Sequence, residues 1–509
     1  MSTVQKAETV KHSSILDWIS EVHEQLRSSP TGELLEFNGI DVAEVLFSPL
    51  YLAALNALRA GPPKKRSRGH TWFDRARNWA YWTKIAIRTR RARGRSAQPG
   101  PADFLLWSRD ITHSLVLYPV SEALRQRGAS SRLLSCNTAV FDALASRDSS
   151  TVFTQAAWPD RLREAHGEGL RRAAKLAKGS SWSLPALGDR SGEQLEKSVR
   201  RALTVLLPVA LQTAVAADAA LDDFRSKLLV VGNDLTLEGR IGCRIAAKRG
   251  VPTAVFMHGS IAGDPLQSRH IADRIFVNGS IHIRELAEQG VPTSKVVVCG
   301  APNLDNRPRQ TGLIHAWLQA RLGLQPGRPW ILVATSGPGH RISHKHHQTV
   351  IENLARLSSE LADVPVVVKL HRKDRLEYYQ QALQNQRHRL ILVREESTGF
   401  PRGIFEWLTG CSVVLTGAST VAVEAMLMDV PVITMDFCQE IRGVDFIDAG
   451  ATTHVQTADA LRDAVRHCLA SGTTTTAQAV RKYLGEAYFA LDGHSSDRAA
   501  ASLMEMAGA

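Results

Sequence analysis

The chain has 509 residues, is 44% hydrophobic and 22% charged, and carries a formal net charge of +12. That length exceeds a single core and predicts two or three domains of ordinary globular composition. The six cysteines (Cys136, Cys243, Cys299, Cys411, Cys438 and Cys468) include no CxxC pair, which argues against a disulfide framework or structural zinc and fits a reducing cytoplasm.

The start of the chain, "MSTVQKAETVKHSS", lacks an apolar secretory segment. Residues 1 to about 60 read as helices and end at Gly61-Pro62-Pro63. From Lys64 to Arg95 there are twelve Lys/Arg and one acid, so +11 of the +12 lies there. The remainder is nearly neutral, which excludes a general nucleic-acid-binding surface. Trp72, Ala76, Trp79 and Thr83 fall near one helical face, with Tyr81 and Trp82 at its edge. Rings among cations suit an anionic membrane surface. A basic helix packed on its own domain through the tryptophans is the alternative.

"SAQPGPA" (96–102) reads as a linker. Beyond it, apolar runs of strand length alternate with helical patterns: "DFLLWSRD", "RLLSCN", "LLVVGND", "PTAVFMHG", "RIFVNG" and "KVVVCGAP". This is the pattern of an α/β fold with a parallel sheet. The apolar run Leu203 to Ala217 contains Pro208, falls short of a membrane span and reads as a buried helix. "NLDNRPRQTG" (303–312) is polar and reads as a hinge, after which the pattern restarts with "PWILVATSGPGH", "VPVVVKLHRKD", "RLILVREES", "SVVLTGAST" and "VPVITMDF". The expected organisation is a helical, basic region over 1–100 and two Rossmann-like domains over 101–310 and 311–509, with the last helix able to cross back.

Ligands of open parallel sheets bind at the carboxyl ends of the strands. The first domain places Asp110, His113, Asn233, Asp234, Arg240 and His258 there, and the second places Ser336, Gly337, Lys369, His371, Arg372, Ser419, Thr420 and Glu424. Gly417-Ala418 allows a close turn, and Ser419 or Thr420 would cap a helix whose N–H groups suit an anion such as a nucleotide phosphate. Glu424, one turn on, would reach a sugar hydroxyl. Lys369, His371 and Arg372 add donors for phosphate. Asp234 or His258 would act as general base toward an acceptor hydroxyl, with Asp110, His113 and Arg240 holding that acceptor. "HRISHKHH" (340–347) lacks carboxylates and cysteines at ligand spacing, so no metal is expected there.

"VPTAVFMHGS", "VVVKLHRKD", "VVLTGASTVAVEAMLMDVPVIT" and "LDGHSSDRAAASL", in that order, resemble bacterial glycosyltransferases of the GT-B fold. The group is the one that builds capsule, lipopolysaccharide and teichoic-acid polymers and includes CDP-glycerol glycerophosphotransferases. The resemblance spans roughly 103 to 505. It places His258 on the family's His-Gly histidine, His371 on its Lys-x-His-Pro histidine, and Ser419 and Thr420 on its phosphate loop. Arg372 departs from the pattern, where the family has proline.

The resemblance implies a metal-independent transferase. It would move a sugar or polyol phosphate from a CMP-, CDP- or UDP-linked donor to a lipid-linked glycan acceptor, with no further cofactor. Residues 64–95 would hold it at the inner face of a bacterial plasma membrane. Two alternatives follow from the same residues. One is an enzyme like UDP-N-acetylglucosamine 2-epimerase, which shares the fold and a Ser-x-x-x-x-Glu segment. The other is a non-catalytic membrane-associated scaffold.

Overall fold

The computed structural model describes residues 12–508 except 60–88, 91, 93, 180, 258–264, 306–311, 339–341, 372–373, 385, 395–402, 442 and 473–476. Most of the basic segment 64–95, together with His258, Arg372 and most of the expected hinge, therefore lies outside the described residues; of its C-terminal end, Ala92 is buried with Phe141 and Phe153 and Arg95 pairs with Asp142.

A small hairpin comes first, with β1 (Glu36–Phe37) antiparallel to β2 (Ile40–Asp41). Its two-residue turn has positive φ at both Asn38 (51°) and Gly39 (70°), the geometry that Asn-Gly favours. The helices His12–Ser28 and Phe47–Arg59 flank it. Ile15, Ile19, Val22, Leu50 and Tyr51 share one hydrophobic cluster with Leu203, Leu207 and Leu211. Residues 12–59 are thus packed into the core of the domain that follows.

That domain holds seven parallel strands: β3 (Phe104–Ser108), β4 (Ser131–Ser135), β5 (Val152–Phe153), β6 (Leu228–Val231), β7 (Thr253–Phe256), β8 (Arg274–Val277) and β9 (Val296–Val298). Their spatial order is β5-β4-β3-β6-β7-β8-β9. The central strands are apolar throughout because helices cover both faces. Between β5 and β6 the chain inserts two packed helices, Pro159–Lys178 and Gly192–Phe224. They cross closely: a methyl group added to Gly169 would lie 2.4 Å from Pro208 Cα. By length and composition Gly192–Phe224 is apolar enough to cross a membrane, yet more than half of its most apolar window is buried against protein.

The second sheet has six parallel strands: β10 (Ile331–Ala334), β11 (Val366–Leu370), β12 (Leu390–Arg394), β13 (Val413–Thr416), β14 (Val432–Met435) and β15 (Thr453–Val455). Their order is β12-β11-β10-β13-β14-β15. Both sheets therefore reverse strand order beside their first strand, at β3/β6 and at β10/β13. These reversals open the crevices in which such folds bind ligands.

The chain then returns to the first domain. Phe489 N–H donates to Asn278 O at 2.7 Å. Ser495 and Ser496 N–H donate to Asp305 at 3.0 and 2.7 Å. A methyl on Gly279 would collide with Ala487 at 2.4 Å, so glycine permits the crossing. The last helix, Ser495–Met506, buries Ala499, Ala500 and Leu503 beside Leu117, Val120 and Leu124.

Candidate functional site

At the N-terminal crevice, Asp110 caps the helix Ile111–Gln126 and accepts from Thr112 N and Oγ1 at 3.1 and 3.0 Å. His113, on the first turn, is buried against the chain leaving β6; a methyl on Gly232 would meet its Cβ at 2.4 Å. Asp234 is fully buried. Its Oδ2 accepts the N–H groups of Ile271 and Ala272 at 2.7 and 2.9 Å, and its Oδ1 meets His270 Nδ1. Burial alone would raise this carboxyl; the His270 charge and these hydrogen bonds outweigh burial and hold it below the usual range. His270 Nε2 in turn meets Gln267 Oε1 at 2.9 Å.

Two expectations change here. Asp234 was expected to activate a hydroxyl directly, but both its oxygens are taken, so it positions His270. Arg240 was expected to hold an acceptor. It is buried, and its guanidinium donates to Glu44 Oε1 at 2.9–3.0 Å and to Arg269 O at 2.8 Å. Arg244 joins the same carboxylate at 3.0 Å. The salt bridge ties the N-terminal helices to the helix Leu237–Lys248, because charge buried at this contact requires a partner.

Sequence reasoning passed over Glu238. It is buried, paired with Arg109 at 2.8 Å through Oε1, and burial raises its carboxyl. The signal was its position four residues after Asp234, on the helix that follows a crevice strand.

At the C-terminal crevice, β10 runs into Thr335, Ser336 and Gly337, the last at φ 67°. Thr335 Oγ1 accepts the His371 N–H at 3.1 Å, tying the loop after β10 to the loop after β11. Behind them Asp374 accepts from Tyr379 Oη at 2.9 Å and lies 3.1 Å from His347 Nε2. Burial would raise Asp374, but the adjacent His347, with the hydroxyls of Thr335 and Tyr379, prevails and lowers it.

After β13, Val421 N–H donates to Ser419 Oγ at 3.3 Å and Thr420 is exposed. The helix here, Val421–Met426, is only six residues long. Its dipole is therefore a small part of any anion attraction. Glu424 keeps some exposure, while its helix neighbours Val423, Ala425 and Met426 belong to the domain's hydrophobic cluster. Burial pushes its carboxyl up to about 7, opposed by the Lys369 cation.

The described donor-side candidates, Ser336, Gly337, Lys369, His371, Ser419, Thr420 and Glu424, thus all follow or end the adjacent strands β11, β10 and β13. A second carboxyl lifted to about 7 by burial is Glu285, which lies near Asp445 on the contact between the halves.

Residues 267–504 match the family model described as UDP-N-acetylglucosamine 2-epimerase. No curated protein matches the chain. Among solved structures it is similar to a UDP-N-acetylglucosamine 2-epimerase, at 13% identity over 80% of this chain and 97% of that one, with a TM-score of 0.50. It is also similar to the UDP-GlcNAc 2-epimerase from Neisseria meningitidis bound to UDP-GlcNAc (14% identity, 79% and 99% covered, TM-score 0.49). A third is a glycosyltransferase from Rickettsia africae (12% identity, 81% and 98% covered, TM-score 0.49). With two Rossmann-like sheets facing a cleft, the chain has the GT-B fold.

Proposed function

We propose that the chain is a nucleotide-sugar enzyme that takes a UDP-linked sugar and performs chemistry of the 2-epimerase kind. The observation that carries this is Glu424, a carboxyl near 7 beside Lys369, within the stretch 267–504 that matches the epimerase model. The diphosphate would lie on the loops after β10 and β13, met by Lys369, His371 and Arg372, with Ser336, Gly337, Ser419 and Thr420 supplying hydroxyls and backbone N–H groups. Glu424 would take the ribose hydroxyls. Inverting C2 requires one group to remove its proton while the electron pair left behind expels the nucleotide diphosphate from C1, and another to return a proton to the opposite face of C2 as the diphosphate adds back at C1. His258 and the Asp234–His270 pair are the proposed groups, with Asp234 fixing the His270 ring as a buried carboxylate does in a triad.

This ranking reverses the sequence-based order, which put glycosyl transfer first. Transfer keeps one specific support: the twelve cations and interleaved aromatics of 64–95. On that second reading the segment holds the enzyme at an anionic cytoplasmic membrane surface, beside a lipid-linked glycan acceptor. In both readings the cations meet the phosphate charge, and no cofactor beyond the nucleotide is called for.

The test is incubation of the full chain with UDP-GlcNAc in D2O, followed by proton NMR. Epimerisation replaces the sugar H2 with deuterium and produces a second nucleotide sugar, and His258→Ala abolishes both. UDP binding without exchange, together with flotation on anionic but not neutral vesicles, would favour transfer. If none of UDP, GDP, CMP, CDP and dTDP raises the melting temperature, both readings fall and the scaffold gains.

A further inference from the structure

The histidine run 340–347 has no metal ligands nearby in sequence, but the fold supplies them from about ninety residues away. His346, on the first turn of the helix His344–Glu360, is buried, with 1% of its surface exposed. The loop after β14 brings Asp436, Cys438 and Glu440 to it. The ligand atoms of His346, Cys438 and Glu440 all lie within 4.8 Å of one another.

His346 Nδ1 is buried without a hydrogen-bond partner. It faces Glu440 Oε2 at 3.7 Å and Asp436 Oδ1 at 3.6 Å. Both separations are too long for a hydrogen bond. They are close to the edge of a zinc tetrahedron, roughly 3.4 Å for metal–ligand bonds near 2.1 Å. Two donors spaced in this way suit one ion between them better than one proton.

We propose that His346 Nδ1, Cys438 Sγ and the Glu440 carboxylate bind a zinc ion, with water at the fourth position. Nitrogen and thiolate donors select zinc over magnesium or calcium, which take sets of oxygens. The thiol gives up its proton as the S–Zn bond forms, and that proton leaves to solvent.

The surroundings hold the ligands in place. Glu440 accepts from Ser343 N and Oγ, both at 2.6 Å. Asp436 accepts from Glu440 N at 2.8 Å and Ile441 N at 3.2 Å. Helix capping accounts for Glu440, but not for the unmade His346 bond or for the convergence of Cys438. Gln439, between the two ligands, takes φ 56°, a costly conformation for a residue other than glycine. The bound ion would pin the loop 436–441 to the start of the helix that follows the β10 loop, beside the crevice.

The test is zinc titration of the EDTA-treated full chain against a chromophoric chelator, with Cys438→Ser and Glu440→Gln in parallel. One zinc per chain is expected. Each variant should lose more affinity than the roughly 100-fold that loss of an outer-shell partner costs. Cys438→Ser is half-buried and conservative, so its melting temperature without zinc reports whether it still folds. Zinc should also raise the melting temperature of the parent chain. It should shield one of the two half-buried thiols, Cys438 rather than Cys136, from alkylation. Absence of stoichiometric zinc would overturn the site, as would zinc bound equally by both variants, which would mark adventitious capture by surface histidines.

Discussion

At the carboxyl end of the N-terminal sheet, Asp234 and Arg240 are satisfied by the protein itself. Asp234 is bound by His270 and two backbone amides, and Arg240 by Glu44. At the matching end of the C-terminal sheet, Lys369 is the one counter-charge to Glu424 among the described residues, and burial raises the Glu424 carboxyl to about 7. Both crevices come from the same strand reversal, yet one stores stability and the other stores an unmet charge. A carboxyl held against its preference is characteristic of a site that a ligand completes. Substitution should therefore destabilise the first crevice and stabilise the second.

The largest effect is expected at Asp234. Asp234→Ala leaves two buried N–H groups and His270 without their acceptor, and should cost about 3–5 kcal/mol in urea unfolding. Its pH dependence has a definite sign. A carboxyl lowered in the folded state contributes stability above its unfolded value of about 3.9, and loses it as pH falls through the folded value. The gap between parent and variant should therefore be full at neutral pH and shrink in acid. A constant gap would show that Asp234 acts through packing alone.

Arg240→Ala comes next, at about 3 kcal/mol, because Glu44 remains half-compensated by Arg244. Adding Glu44→Gln should cost less than the sum of the single changes, since the two residues share one interaction. Full additivity would separate the N-terminal helices from the crevice.

Glu424→Gln should have the opposite sign. Below about 4.5 both folded and unfolded states hold the proton and the substitution changes little. As pH rises toward 7 the unfolded chain ionises first, so the native carboxyl destabilises the fold by on the order of 2 kcal/mol. Glutamine removes that penalty. The variant should melt higher than the parent at pH 8, equal it at pH 4.5, and bind UDP more weakly. A variant less stable at pH 8 would place Glu424 in the structural class of Asp234.

The two crevices were also unequally legible in the sequence. Eleven of the thirteen described strands of the two large sheets were visible as apolar runs, because strands buried on both faces leave that trace. The missed strands, Val152–Phe153 and Thr453–Val455, have two and three residues, too few to show a period. Asn38-Gly39 was a hairpin signal that was not read. At the C-terminal crevice the candidates follow their strands directly, so position in sequence gave position in space. At the N-terminal crevice, chain order revealed Asp234 and Arg240 but not their partners. His270 lies 36 residues from Asp234 and Glu44 lies 196 from Arg240. Whether a polar residue faces a ligand or a distant protein group is decided by such contacts, which spacing does not encode. The convergence of Cys438 and Glu440 on His346 was hidden for the same reason.

Lys369→Met is the smallest and sharpest test of the contrast. Lys369 pulls the Glu424 carboxyl down while burial pushes it up, and burial dominates. Removing the cation should therefore leave the fold intact and move Glu424 further up. The destabilisation that accompanies its ionisation would then keep growing above pH 7. The readout is the stability difference between Lys369→Met and Lys369→Met/Glu424→Gln, followed from pH 5 to 9 and compared with the parent and Glu424→Gln pair. The curve should shift to higher pH in the methionine background. Coincident curves would mean that the two charges do not face each other across the crevice, and a phosphate held by Lys369 and a ribose held by Glu424 would no longer belong to one nucleotide.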